Sequence, residues 1–81
     1  MKLEKTVDMM LSEDYIERFK AEYHQVKFRR NKLRKLIRDL NLGTCSFEPS
    51  CSIDLLVWQE RTMSEYVYIL ERRASEENID L

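Results

Sequence analysis

The sequence predicts an all-α protein in which two long helices pair as an antiparallel hairpin. Only one Gly and one Pro occur among 81 residues, so the chain lacks the turn residues that sandwiches, barrels and doubly wound folds require. Hydrophobic residues make up 43% of the chain and charged residues 36%, which is too apolar for a disordered chain and too charged for a membrane protein. A chain of this length forms one small domain.

The first long helix is predicted over residues 12–42. Ser12 is a candidate N-cap, and Gly43 can adopt the left-handed conformation that ends many helices. Between them a heptad seam advances in steps of three and four residues; its members are Ile16, Phe19, Tyr23, Val26, Arg30, Leu33, Ile37 and Leu40. Arg30 is the exception, because a cation in an apolar seam costs stability unless an anion meets it or its head reaches water.

The second helix is predicted from Ile53 to Ala74, after a loop over residues 43–51 and with Ser52 as its N-cap. It carries two apolar stripes, which are Leu56, Met63, Val67 and Leu70, and Leu55, Trp58, Thr62, Tyr66 and Ile69. One partner helix covers only one stripe. We therefore expect a helical homo-oligomer, with Trp58, Tyr66 and Ile69 lining the interface between subunits.

The two ends of the chain flank this helical domain of residues 12–74. Residues 1–11 form an N-terminal segment whose apolar positions suit a short helix. Residues 75–81 form an acidic tail that we expect to be frayed. No apolar run reaches the ~18 residues of a spanning helix and no signal-peptide pattern opens the chain, so we expect a cytosolic protein.

The sequence offers little for catalysis or metal binding. His24 is the one histidine, and neither a Ser/His/Asp set, an HExxH motif nor a glycine-rich phosphate loop is present. Cys45 and Cys51 together with the distant His24 are too few for a metal site. We expect a non-enzymatic protein with no catalytic residues, no cofactor, no metal and two free thiols.

Charge is distributed unevenly along the chain. Residues 27–38 contain seven basic side chains and no acidic one, whereas the segment after Ser52 is acidic. Such a stretch attracts anions. It could also be a solvated face that pairs with the acidic third of the chain. Binding to duplex DNA or RNA is not expected, because the basic residues surround the helix and the net charge is -1.

An aromatic ring and two cations lie on the same face of the first predicted long helix. Tyr15 precedes Arg29 and Arg30 by two heptads, about 21 Å along one helix. If two such helices pack antiparallel about a two-fold axis, the tyrosine of one approaches the arginine pair of the other. The ring would stack on a base and the guanidinium groups would bind phosphate, which suits a cyclic dinucleotide. The alternative is that Tyr15 packs at the helix start and both arginines are solvated.

Two motifs carry a resemblance to a known family. The first is Y-x2-R-x3-E-x3-V-x2-R-x2-KL-x2-L from Tyr15 to Leu36, and the second is LL-x2-Q-x3-M-x2-Y-x2-IL-x2-R from Leu55 to Arg73. Together they resemble small helical proteins of tailed and crAss-like phages that are related to the phage anti-CBASS cyclic-oligonucleotide sponges. The similarity covers residues 12–74, and the second motif is the more specific.

The resemblance implies a homo-oligomer, usually a hexamer, in the cytoplasm of an infected bacterium. It implies sequestration of cyclic dinucleotides, with Tyr15 stacking on a base and Arg29 or Arg30 holding phosphate. Cyclic trinucleotides are implied as a further ligand class, held by Arg73 or its neighbour Arg72. This chain departs from the family pattern in having an arginine pair for the usual lysine and two cysteines in its loop. A second hypothesis is a phage host-takeover protein of the anti-CRISPR or anti-restriction type, which binds a bacterial protein through its exposed aromatic residues.

Overall fold

A computed structural model describes residues 2–81, and this part of the chain is helical with connecting loops. A short 3₁₀ turn spans Leu3–Thr6 and leads into α1, Val7–Met10. The two long helices are α2, Tyr15–Leu42, and α3, Ile53–Glu76. The predicted all-α class, the two long helices and the short helical segment before them are confirmed.

Side-chain caps fix where the long helices begin. The Asp14 side chain accepts a hydrogen bond of 3.0 Å from the Ile16 amide and is the N-cap of α2. The prediction that Ser12 plays this role is wrong, because the Ser12 hydroxyl accepts from the amide of Asp14 instead, at 3.1 Å. Ser52 caps α3 as predicted, and its hydroxyl accepts from the Leu55 amide at 3.2 Å.

Gly43 ends α2 in the left-handed conformation, with φ of 72°. Its amide donates to the carbonyl of Leu40, and the amide of Thr44 donates to the carbonyl of Asp39. These bonds satisfy carbonyls at the helix end that lack a partner within the helix. The predicted role of Gly43 is therefore confirmed.

The core lies at one end of the helix pair. It is formed by six buried side chains, namely Phe19, Tyr23, Val67, Leu70, Ala74 and Ile79, with Val26 packed against them. Farther along α2 the seam residues Leu33, Ile37 and Leu40 are only partly buried. One stripe of α3 is buried and the other is exposed, as the sequence predicts, and Trp58 on the exposed stripe is 69% accessible.

The contacts between α2 and α3 show that the two helices run in opposite directions. Early residues of α2 meet late residues of α3 and beyond. Among the pairs joined by side-chain hydrogen bonds are Tyr15 with Glu77, Tyr23 with Glu71, and Arg34 with Glu60. This order brings the start of α2 beside the end of α3. Among the helices of residues 2–81, none combines the length and apolar character needed to cross a membrane.

A buried threonine attaches the N-terminal segment to α2. Thr6 is fully buried, and its hydroxyl donates to the carbonyl of Leu3 at 2.6 Å. The same hydroxyl accepts from the Gln25 amide group at 3.0 Å. One side chain therefore satisfies its own polar group while joining the 3₁₀ turn to the long helix.

The last residues are packed rather than frayed. Ile79 is only 8% exposed and belongs to the core. Its amide donates to the carbonyl of Ala74 at 2.8 Å, and the amide of Glu77 donates to the carbonyl of Arg73 at 2.9 Å. Asn78 between them adopts a positive φ of 58°, which turns the chain back onto the helix. The expectation of a frayed tail is therefore wrong for residues 75–79.

We predict that Ile79→Ala lowers the free energy of unfolding by about 2 kcal/mol, because it removes buried apolar surface at the core. Urea denaturation followed by circular dichroism measures this loss. Leu81→Ala is the control, because Leu81 is 40% exposed. Equal and small effects of the two substitutions would show that Ile79 does not pack as described.

Candidate functional site

An aromatic ring and a guanidinium group that are far apart in the sequence meet at the start of α2. The Tyr15 hydroxyl donates to Oε1 of Glu77 at 2.7 Å and accepts from Arg73 at 2.9 Å. Nε of Arg73 also donates to Oε2 of Glu77 at 3.3 Å. The Arg73 guanidinium lies 5.0 Å from the centre of the buried Phe19 ring. We call these four residues the Tyr15 cluster.

The Tyr15 cluster combines an accessible ring with a cation held in place. Tyr15 is 45% exposed, and its ring centre lies 6.1 Å from that of Phe19. The hydrogen bond to Glu77 raises the pKa of Tyr15, with smaller opposing effects of Arg73, so the hydroxyl stays protonated at neutral pH. An exposed aromatic face can stack on a base, and a guanidinium group can bind phosphate. The cluster thus has the two features that nucleotide binding requires.

Arg30 lies between the two long helices. Its guanidinium donates to the Ser64 hydroxyl of α3 at 3.4 Å and to Asn31 at 3.0 Å. Nearby, Arg34 donates to Glu60 at 2.6 Å, and Ser64 donates to the same carboxylate oxygen at 2.9 Å. The cation in the seam is therefore half-buried and faces polar groups and a carboxylate of α3, rather than bulk water.

Arg29 lies in an open groove between α2 and α3. The groove encloses about 590 Å³ and is lined by Gln25, Val26, Arg29, Leu33, Gln59, Met63 and Tyr66. Arg29 is exposed and forms no ion pair with any residue from 2 to 81. The two arginines of the predicted pair thus differ, since Arg30 is engaged with α3 and Arg29 faces the groove.

Most of the basic stretch is left without an acidic partner. Of the seven cations in residues 27–38, Arg34 alone forms an ion pair with α3, within the part of the chain that the structure describes. Lys35 and Arg38 contact Asp39 of their own helix. The alternative in which the acidic third of the chain neutralises this stretch accounts for one cation only.

The residues predicted to line a subunit interface are all accessible. Trp58 is 69%, Ile69 48% and Tyr66 39% exposed. A shallow apolar groove of about 430 Å³ includes Trp58 together with Leu55, Gln59, Thr62 and Met63. Arg72, which the resemblance implies as a ligand-binding residue beside Arg73, donates to the hydroxyl of the exposed Tyr68 at 3.2 Å and is not part of the Tyr15 cluster.

The histidine and the two cysteines, which are the remaining residues able to bind a metal or act as a nucleophile, lie outside the Tyr15 cluster. His24 is partly buried against Tyr23, with ring centres 5.2 Å apart, and burial lowers its pKa. Cys45 and Cys51 are free thiols in the loop before α3. Across residues 2–81, no three His, Cys, Asp or Glu side chains lie close enough together to hold a metal ion.

Neither Glu77 as a site residue nor the pairing of Tyr15 with Arg73 is predicted from the sequence. Tyr15 and Arg73 are both predicted ligand-binding residues, but the prediction places Tyr15 beside Arg29 or Arg30 of another subunit. Tyr15 and Arg73 are 58 residues apart, so their contact depends on the register of α2 against α3. The spacing of Arg73 and Glu77, four residues apart on a helix, could have indicated their ion pair.

A protein-family model described as Sequestin matches residues 13–76, which is most of the chain. This chain belongs to the Sequestin family. The match covers both long helices and the Tyr15 cluster except Glu77. Neither the curated proteins nor the solved structures contain a match to this chain.

We predict that Glu60→Gln weakens the pH dependence of stability as the pH falls below the ordinary glutamate pKa of about 4.3. The hydrogen bond from Arg34, aided by Ser64, lowers the pKa of Glu60 in the folded protein. A lowered carboxyl pKa contributes stability above the ordinary value of about 4.3, and that stability is lost as the pH falls through the folded pKa. The contribution is about 1 kcal/mol or less, because Arg34 is 54% exposed.

Urea denaturation at several pH values measures this effect. Glu65→Gln is the control, because it removes the same charge from an exposed position on α3. Some pH dependence remains in both variants, since Lys35 lowers the pKa of Asp39. Identical profiles for the two variants would contradict a stabilising role of Glu60.

Proposed function

We propose that this protein is a phage-encoded sponge that binds cyclic dinucleotide immune signals and withholds them from CBASS-type bacterial effectors. Cyclic trinucleotides are a further ligand class. The observation that carries the proposal is the meeting of an exposed Tyr15 ring with the Arg73 guanidinium, 2.9 Å from its hydroxyl. The name of the family, Sequestin, agrees with a sequestering role.

Binding alone accounts for this function. The Tyr15 ring stacks on a base, and charge-assisted hydrogen bonds from arginine hold the phosphates. Because Arg73 rests on the buried Phe19 ring, its guanidinium loses little freedom when a ligand arrives. The proposal assigns no residue a catalytic role, so the ligand is released chemically unchanged.

Assembly completes the proposed site. We propose a homo-oligomer, with a hexamer favoured, in which the exposed stripe of α3 packs against neighbouring subunits in the cytoplasm of an infected bacterium. Arg29, which faces the open groove, then reaches the tyrosine of a neighbouring chain, whereas Arg30 stays bound to α3 of its own subunit. The exposed apolar side chains of this stripe support assembly, because a free monomer would leave Trp58, Ile69 and Tyr66 in water.

The same exposed stripe supports a second candidate function. A host-takeover protein of the anti-CRISPR or anti-restriction type would use Trp58, 69% exposed, as an anchor on a bacterial protein. The size of the protein in solution separates the two functions. A stable oligomer favours the sponge, and a monomer favours the second candidate.

We predict that Tyr15→Ala and Arg73→Ala each weaken the binding of cyclic dinucleotides by about tenfold or more, because each removes stacking or a charge-assisted bond. Calorimetric titration with cyclic di-GMP, cyclic di-AMP and cyclic GMP–AMP measures the affinity. Arg61→Ala is the control, since Arg61 is an exposed arginine of α3 that forms no ion pair within residues 2–81.

The fate of the ligand provides a second readout for this experiment. Ligand recovered after heat denaturation of the complex is expected to be intact. Absence of binding to every compound tested would contradict the sponge, and recovery of cleaved nucleotide would contradict a role in binding alone.

We predict that Trp58→Ala weakens self-association. The melting temperature of an oligomer rises with protein concentration, and the rise shrinks when an interface residue is removed. Differential scanning calorimetry across a wide concentration range measures this dependence. Phe47→Ala is the control, because Phe47 is a similarly exposed aromatic residue, at 58%, outside α3. A wild-type melting temperature independent of concentration would contradict assembly.

A further inference from the structure

We infer that the Tyr15 hydroxyl and the Arg73 guanidinium form a seat for a phosphate group, and that the Glu77 carboxylate fills this seat until an anionic ligand replaces it. The inference rests on the proposed function and adds to it a competitor supplied by the chain itself. It starts from the two carboxylate oxygens of Glu77, since one accepts from Tyr15 at 2.7 Å and the other from Arg73 at 3.3 Å.

The donors around Glu77 match the needs of a phosphate. A carboxylate and a phosphodiester both present two oxygens that share negative charge, and a guanidinium group binds either through parallel hydrogen bonds. Here the Arg73 guanidinium bonds both Glu77 and the oxygen of Tyr15, which in turn donates to Glu77. The Glu77 carboxylate therefore marks the position where an anion is held.

Glu77 can leave without disturbing the helix. It is the first residue after α3, and its amide is bound to the Arg73 carbonyl, so its backbone is held independently of its side chain. Its side chain is 35% exposed and that of Arg73 46% exposed. Exposed ion pairs are weak, because water screens both charges. Rotation about side-chain bonds is then enough to vacate the seat.

The two donors remain in place when Glu77 leaves. Arg73 lies 5.0 Å from the ring of Phe19, which is only 2% exposed. Tyr15 is the first residue of α2, and its ring lies against the same phenylalanine. A cation supported by an aromatic face keeps its orientation. Loss of the carboxylate thus leaves a preformed site with an unpaired positive charge.

The inference predicts that removing the competing charge tightens binding. Glu77→Gln is expected to bind pyrophosphate and cyclic di-GMP about two- to fivefold more tightly, the range that an exposed ion pair is worth. Glu76→Gln is the matched control, because it removes the same charge one residue earlier, at an exposed position with no ion pair within residues 2–81. Tyr15→Phe keeps the ring but removes one donor, so it is expected to weaken binding.

The experiment is a titration of the full chain followed by nuclear magnetic resonance. The Nε–H resonance of Arg73 is expected to shift as pyrophosphate is added, and to saturate at a lower concentration in Glu77→Gln than in the wild type or Glu76→Gln. Affinity of Glu77→Gln that is equal to or weaker than that of Glu76→Gln would overturn the inference. An Arg73 resonance that does not move at saturation would also overturn it.

The two proposals can fail separately. If pyrophosphate fills the seat with the expected effect of Glu77→Gln while no cyclic dinucleotide binds, the seat stands and the sponge function fails. If cyclic di-GMP binds equally well to Glu77→Gln and Glu76→Gln without moving the Arg73 resonance, the sponge function stands and the seat is wrong.

Discussion

The packing of Phe19 and Tyr23 against Val67, Leu70 and Ala74 is the interaction on which the rest of the structure depends. These side chains set the register of α2 against α3, because each helix contributes a stripe that one alignment buries. That register places Tyr15 beside Arg73 and Arg34 beside Glu60. The polar contacts are exposed or partly exposed and individually weak, so they follow the register rather than create it.

The core is concentrated at one end of the helix pair, and this divides the surface into two regions. At the packed end, Ile79 and Thr6 attach the chain segments that flank the two helices. The Tyr15 cluster lies at this end, where Tyr15 and Arg73 pack against the buried Phe19 ring. At the other end the basic stretch and the loop are less buried, and Arg29 faces an open groove. The supported Tyr15 cluster and the more exposed basic stretch are thus both consequences of a core that is concentrated at one end.

Features that are encoded locally can be predicted from this sequence, whereas features that depend on contacts between distant residues cannot. Helix periodicity, the Gly43 terminus and the Ser52 cap are short-range signals and were predicted. Ser12 and Asp14 are both good caps two residues apart, so composition could not choose between them. The packed position of Ile79 was missed because a single apolar residue in an acidic tail does not reveal whether a buried surface is within reach. The pairing of Tyr15 with Arg73 requires the helix register, which no motif specifies.

For the proposed binding of an anionic ligand, the uneven pairing of charge along α2 has a consequence for the rate of association. Four of the seven cations in the basic stretch form no ion pair within residues 2–81, so this stretch produces a positive field that attracts anions before contact. Ions in the medium shorten the reach of that field to about 8 Å at physiological strength. The association rate constant should therefore fall steeply as salt is added, while the dissociation rate, governed by short-range stacking and hydrogen bonding, changes little.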